Sequence, residues 1–73
     1  MKNYGKVIEY NGVYGNIKSI DGNEYKLIDK NIIGEEVKES DNVEFEPEVH
    51  KTPEVEIKIA KLVRKYEMKE QPK

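Results

Sequence analysis

Apolar and polar residues alternate with a period of two through most of this chain, broken at short clusters of glycine, asparagine, aspartate and proline. That pattern predicts half-buried strands joined by tight turns. The first run, Tyr4 to Tyr10, closes at Asn11-Gly12, a pair that tolerates positive φ and so suits a hairpin turn. The second runs from about Val13 to Ile20 and stops at Asp21-Gly22-Asn23, another tight-turn signal. The third, EYKLID from Glu24 to Asp29, sets Tyr25 and Leu27 on one face and Lys26 and Ile28 on the other. Phase with Leu27 makes Tyr25 a core residue. These three runs form a meander.

Alternation then lapses. Lys30 to Asn42 mixes Ile32, Ile33 and Val37 with glycine and charges, a composition suited to a short helical turn whose isoleucines plug one end of a barrel. Val43 and Phe45 alternate with Glu44 and Glu46 in a fourth strand, which Pro47 ends or edges because proline cannot donate to the ladder. EVHKTPE reads as a polar loop. The fifth strand, VEIKI, places Val55, Ile57 and Ile59 inward and Glu56 and Lys58 outward. Residues 60–66 fit either a continuing strand or a terminal helix. A strand to about Val63 is favoured, since so short a helix with a mixed-charge face is marginal alone. The final residues, 67–73, are expected to form a disordered tail behind a single domain spanning 1–66.

Composition narrows the picture. Seventy-three residues sit near the lower end of what folds without a staple, and the chain has no cysteine to supply a disulfide or thiolate metal site. Only 36% of residues are hydrophobic, which favours a compact barrel with nearly every apolar residue turned inward. Five short strands with a long third-to-fourth connection predict an all-β, five-stranded Greek-key barrel of the OB type. A net charge of −2, from 13 basic and 15 acidic residues, gives no general attraction to nucleic acid, so any such function must rest on how charge is distributed. Neither a membrane-length apolar run nor a signal-peptide pattern is present, and a cytoplasmic protein with no membrane partner is the expectation.

The order and spacing of several motifs resemble the cold-shock domain. GKV at Gly5 to Val7 with Tyr10-Asn11, YGNI at Tyr14 to Ile17, Asp21-Gly22, EYKLIDKNI ending at Ile32, and DNVEFE at Asp41 to Glu46 follow the family's GKVKWFN, KGFGFI, DG, DVFVHxSxI and G-x-x-V-x-F-E elements. Ala60 falls where the family has an alanine in its last strand. The resemblance covers roughly Gly5 to Arg64, with a shortened first hairpin loop. It implies binding of single-stranded RNA or DNA by stacking on outward aromatics, with lysines on phosphates.

Carried over by position, the family's tryptophan falls on Glu9 and the neighbouring phenylalanine on Tyr10. The second-strand phenylalanines fall on Tyr14 and Asn16, the third-strand phenylalanine and histidine on Lys26 and Ile28, the next aromatic on Asp29, and a lysine on Ile8. Only Tyr10 and Tyr14 keep a ring. Stacking contributes roughly 1–3 kcal/mol per base, so the loss of the other rings implies weak binding. The candidate nucleic-acid-binding residues are Lys6, Tyr10, Tyr14, Asn16, Lys18 and Lys26, with Glu9 and Asp29 opposing them; a strip of lysines implies salt-sensitive binding. The competing expectation is a protein-interaction module, monomer or homodimer, using Ile8, Tyr14 and Ile28 as an apolar patch. Tyr4 and Tyr66 carry no assignable role.

Catalytic and cofactor chemistry finds no footing. His50 is the only histidine, without neighbours at metal-ligand spacing, and Glu35-Glu36 and Glu44/Glu46 read as solvated surface carboxylates. No Ser/His/Asp set, phosphate-cradling glycine loop or dinucleotide fingerprint occurs. A non-enzyme without cofactor or metal is expected.

Overall fold

The computed structural model describes residues 2–66. Its five strands are β1 (Asn3–Tyr10), β2 (Tyr14–Ser19), β3 (Glu24–Ile28), β4 (Asn42–Lys51) and β5 (Glu56–Lys65). They close into a barrel in the order β1-β2-β3-β5-β4. All neighbours are antiparallel except β3 and β5, which run parallel and meet at Lys26 and Ile59. This is the all-β Greek-key barrel of the OB type that alternation predicts. The expected tail at 67–73 lies outside the described residues.

The core follows the predicted phases in the first three strands. Val7, Ile17, Tyr25 and Leu27 are buried with Val43 and Phe45 of β4 and Ala60 and Val63 of β5. The rings of Tyr25 and Phe45 pack at a tilt, centroids 5.0 Å apart. Two glycines let β1 and β2 approach. A Cβ on Gly5 would stand 2.5 Å from the Lys18 carbonyl oxygen, and one on Gly15 would stand 2.1 Å from that of Glu9. β1 also carries a bulge: Val7 pairs with Ile17 but Glu9 pairs with Asn16, leaving Ile8 as an extra residue. Strict alternation from buried Val7 would bury Glu9; the bulge turns that carboxylate outward instead.

The connection after β3 starts with a 3₁₀ turn, Asp29–Asn31. The isoleucines are not the main plug. Ile32 packs against the core and Ile33 is half-buried, while Val37 is the residue buried fully, at 1% exposure. Lys65 Nζ holds this loop to the end of β5 through Glu35 at 3.4 Å and Asp41 at 3.7 Å.

The β4–β5 region differs most from expectation. β4 runs through Pro47 to Lys51, so the polar loop shrinks from EVHKTPE to residues 52–55, and His50 stands on a strand. Thr52 donates its N–H to the Val55 carbonyl at 2.8 Å. Counting the antiparallel alternation back from there puts the Pro47 nitrogen on the edge away from β5. β1 spans Asn3–Tyr10 and meets β4 between Phe45 and Asn42, so among the described residues no ladder partner faces the proline nitrogen.

β5 is a strand to Lys65, which settles residues 60–65 against a helix. Val55 and Ile57, expected inside, are 50% and 40% exposed because this arm projects past the barrel's closed part. Ile59 is half-buried and level with the outward Lys26. Ala60 and Val63 are the buried pair; between them Leu62 adopts φ +52°, which breaks the two-residue phase and leaves its own side chain exposed.

Candidate functional site

The outer wall of β1, β2 and β3 is organised by register. One row runs Lys6, Lys18, Glu24; the next runs Glu9, Asn16, Lys26 and on to Ile59; the third pairs Tyr14 with Ile28. Partners directly across a pair of strands share a face. Lys6, Lys18 and Lys26 are all exposed and sit in no ion pair among the described residues.

Tyr14 is set by the turn before it. The Asn11 Oδ1 accepts the N–H groups of Val13 and Tyr14, both at 2.9 Å, and Asn11 N–H donates to the Tyr14 carbonyl at 3.0 Å. Gly12 supplies the φ of +99° that this turn needs. β2 therefore starts with its ring in water, 64% exposed. The ring stands between two open hollows. One, of about 430 Å³, is bordered by Glu9, Tyr10, Asn16, Lys26 and Glu39; the other, of about 500 Å³, by Val13, Ile28, Asp29, Ile59 and Lys61.

The other candidates are placed differently. Tyr10 shares a row with Gly15 and the buried Leu27, and packs against the core. Burial, and then the carboxylates of Asp29 and Glu36, push its hydroxyl pKa up. Asn16 donates its amide to Glu9 Oε2 at 2.7 Å, so one of the two carboxylates in these rows, Glu9 rather than Glu24, is partly occupied by a neutral donor. Ile8, exposed on the bulge, pairs with neither Tyr14 nor Ile28, and the three do not form one row.

Sequence reasoning missed Val13, Ile59, Lys61 and Glu39 as neighbours of this wall. Glu39 comes from the irregular loop, and Ile59 and Lys61 arrive through the parallel contact of β5 with β3, which leaves no local trace in sequence.

At the far end of β2, Asp21 gathers three donors. It accepts the Asn23 N–H at 2.9 Å, the Asn3 amide at 3.0 Å and the Tyr25 hydroxyl at 3.2 Å. The Asn23 N–H first, then Ser19, bring its carboxyl pKa down to about 2. Burial, and then Asp21, push the Tyr25 hydroxyl upward.

Among the described residues, no group of three or more histidines, cysteines, aspartates or glutamates gathers as metal ligands, and no helix is long and apolar enough to cross a membrane. The His50 Nε2 lies 3.2 Å from Glu48 on the same strand. Fold and site together define a small OB-type barrel with an exposed ring on one wall and lysines there that make no ion pair among the described residues, a shape consistent with a module that binds nucleic acid or protein. No family model and no curated protein sequence matches the chain.

Proposed function

We propose that this chain is a non-catalytic, cold-shock-like module that binds single-stranded RNA or DNA weakly on the outer wall of β1–β3. The observation that carries this reading is the exposed Tyr14 ring on the same wall as three lysines that make no ion pair among the described residues. Tyr14 offers a stacking face, Lys26, Lys18 and Lys6 meet phosphates, Asn16 offers its side-chain oxygen to a base edge, and Tyr10 offers a ring edge at the rim of the neighbouring hollow.

One well-exposed ring on this wall limits the stacking contribution to about 1–3 kcal/mol, and Glu9 opposes a polyanion. Affinity is therefore low and electrostatic. Three phosphate contacts on a single strand give a slope of about −2 in log K against log salt. Titration of labelled oligo-dT and oligo-U at low salt tests the reading. Binding in the micromolar range that weakens in Tyr14→Ala is expected; no binding into the high-micromolar range, or indifference to that substitution, rejects it.

A second reading, a protein-interaction module, is favoured by the direct pairing of Tyr14 with Ile28 and by the exposed Val49, Val55 and Ile57 on the β4–β5 arm. Under it, light scattering shows a dimer or a pull-down enriches one partner, and Ile28→Lys abolishes either. A strict monomer without a partner, unaffected by Ile28→Lys, removes this reading.

A further inference from the structure

Tyr4, Tyr66 and Ile20 meet at the other end of the barrel from Tyr14. The two tyrosine rings tilt against each other with centroids 4.9 Å apart. Backbone bonds fix both sides of the hollow beside them: Ile20 N–H donates to the Tyr4 carbonyl at 2.9 Å, and Tyr66 N–H to that of Asn42 at 2.8 Å. The hollow measures about 260 Å³ and its walls are mostly apolar. Ile20 is 75% exposed and Tyr66 38% exposed, so the apolar surface stands open among the described residues. Lys6 and Lys18, paired across β1 and β2, stand at its border.

No lining residue is acidic, although the chain carries more acids than bases. The nearest carboxylate in sequence, Asp21, is engaged by Asn3, Tyr25 and Asn23. Apolar walls with no acidic lining residue, and with Lys6 and Lys18 at the lip in no ion pair among the described residues although Glu24 lies across β2 and β3 from Lys18, complement one chemistry well: a flat, unpaired base attached to phosphates. A protein segment would engage the two lysines only if it carried acids beside its apolar side chain, whereas every nucleotide brings a phosphate with its base.

We propose that this hollow is a second base-binding subsite, formed by Ile20 and Tyr66 with Tyr4 behind them, and that one strand runs from Tyr14 past Lys26, Lys18 and Lys6 to reach it. The proposal rests on the nucleic-acid reading of the β1–β3 wall and extends its footprint. Tyr14 and Ile20 are six positions apart on or beside β2, roughly 20 Å at a rise of about 3.4 Å per residue. A span of that length suits a short single strand, since OB barrels take upward of about four nucleotides.

The test is fluorescence anisotropy of a labelled octathymidylate with the full chain at low salt, comparing the native protein, Tyr14→Ala, Ile20→Ser and Tyr66→Ser, with thermal melts as the folding control. Ile20 is so exposed that its substitution leaves the fold intact. The expected result is a loss of about five-fold or more in affinity for Ile20→Ser and Tyr66→Ser, as for Tyr14→Ala. If Tyr14→Ala weakens binding while Ile20→Ser and Tyr66→Ser stay within about two-fold, the subsite is overturned and the first wall stands. If the octathymidylate does not bind at all, the wall reading itself fails and takes this one with it. If Ile20→Ser instead converts a dimer to a monomer without changing affinity, the hollow belongs to a second copy of the chain and the proposal is overturned.

Discussion

Gly15→Ala probes the fold and the candidate site together. Gly15 lies between Tyr14 and Asn16 and pairs with Tyr10 across β1. An added Cβ would stand 2.1 Å from the Glu9 carbonyl oxygen, 2.8 Å from the Tyr10 Cα and 3.0 Å from the Glu9 carbonyl carbon. All three are backbone atoms, so no side chain can swing aside, and the two strands must separate by about 1 Å to restore ordinary contact. Overpacking of this kind costs about 1–3 kcal/mol, and a rigid backbone obstacle puts the cost at the upper end, about 3 kcal/mol.

A chain of 73 residues has a total stability of roughly 4–11 kcal/mol, so the loss is a large share of it. Urea unfolding followed by circular dichroism reads it directly. With a slope of about 1 kcal/mol per molar, the midpoint falls by about 3 M. Gly12→Ala is the control: nothing lies within 4 Å of its Cβ, and its φ of +99° leaves only conformational strain, about 1–2 kcal/mol. If Gly15→Ala unfolds at the same urea concentration as the native chain, the bulged register of β1 on β2 is wrong. The outward placement of Glu9 and Asn16 then falls with it.

Val37→Ala removes two buried methyl groups from the barrel's end and lowers stability by about 2 kcal/mol in the same assay; an unchanged midpoint would show that the loop does not seal the core. Asp21 has a folded pKa of about 2, below its ordinary value of 3.8. Its contribution to stability is therefore complete above about pH 4 and drains away as pH falls toward 2. Acid unfolding of Asp21→Asn should accordingly show a flatter limb across that window; an identical acid limb would mean that the carboxylate is no anchor. Lys26→Gln should reduce the salt slope of oligonucleotide binding by about 0.7 for one lost phosphate contact, and an unaltered slope removes Lys26 from the interface.

The meander was legible because each of its strands has one face on the core and one in water, so alternation reports orientation. Tyr25 and Leu27 inside with Lys26 outside followed from parity alone. Parity fails where the chain inserts a residue or leaves the barrel. The Ile8 bulge reverses Glu9 relative to Val7, and only the positional likeness to the cold-shock pattern set that residue outward. Leu62 does the same between Ala60 and Val63. Val55 and Ile57 alternate as cleanly as any core strand, yet they lie on an arm where neither face meets the barrel interior. For Pro47 the sequence leaves open whether it ends or edges its strand, because a sequence does not say which strand edge is unpartnered; the structure shows the edge.

The site was legible in part for similar reasons. The turn chemistry of Asn11-Gly12 and the phase of β2 are local, and they fix Tyr14. The Asn16–Glu9 hydrogen bond, the inward lean of Tyr10 and the approach of Ile59 and Lys61 depend on register between strands, which no short stretch encodes.

The parallel meeting of β3 with β5 gives the cylinder a lengthwise seam. It is stitched at Lys26 with Ile59 and again where Ile32 meets Val63, whereas the ladders on either side are sewn along most of their length. Unzipping there would yield a curled ribbon with its two hairpin systems whole, so amide protons along the stitches should exchange with solvent sooner than those inside the ladders. Lys26 and Ile59 both border the hollows around Tyr14. Anything seated across them straddles the stitch line and acts as a clasp, protecting amides on two strands that are far apart in the chain.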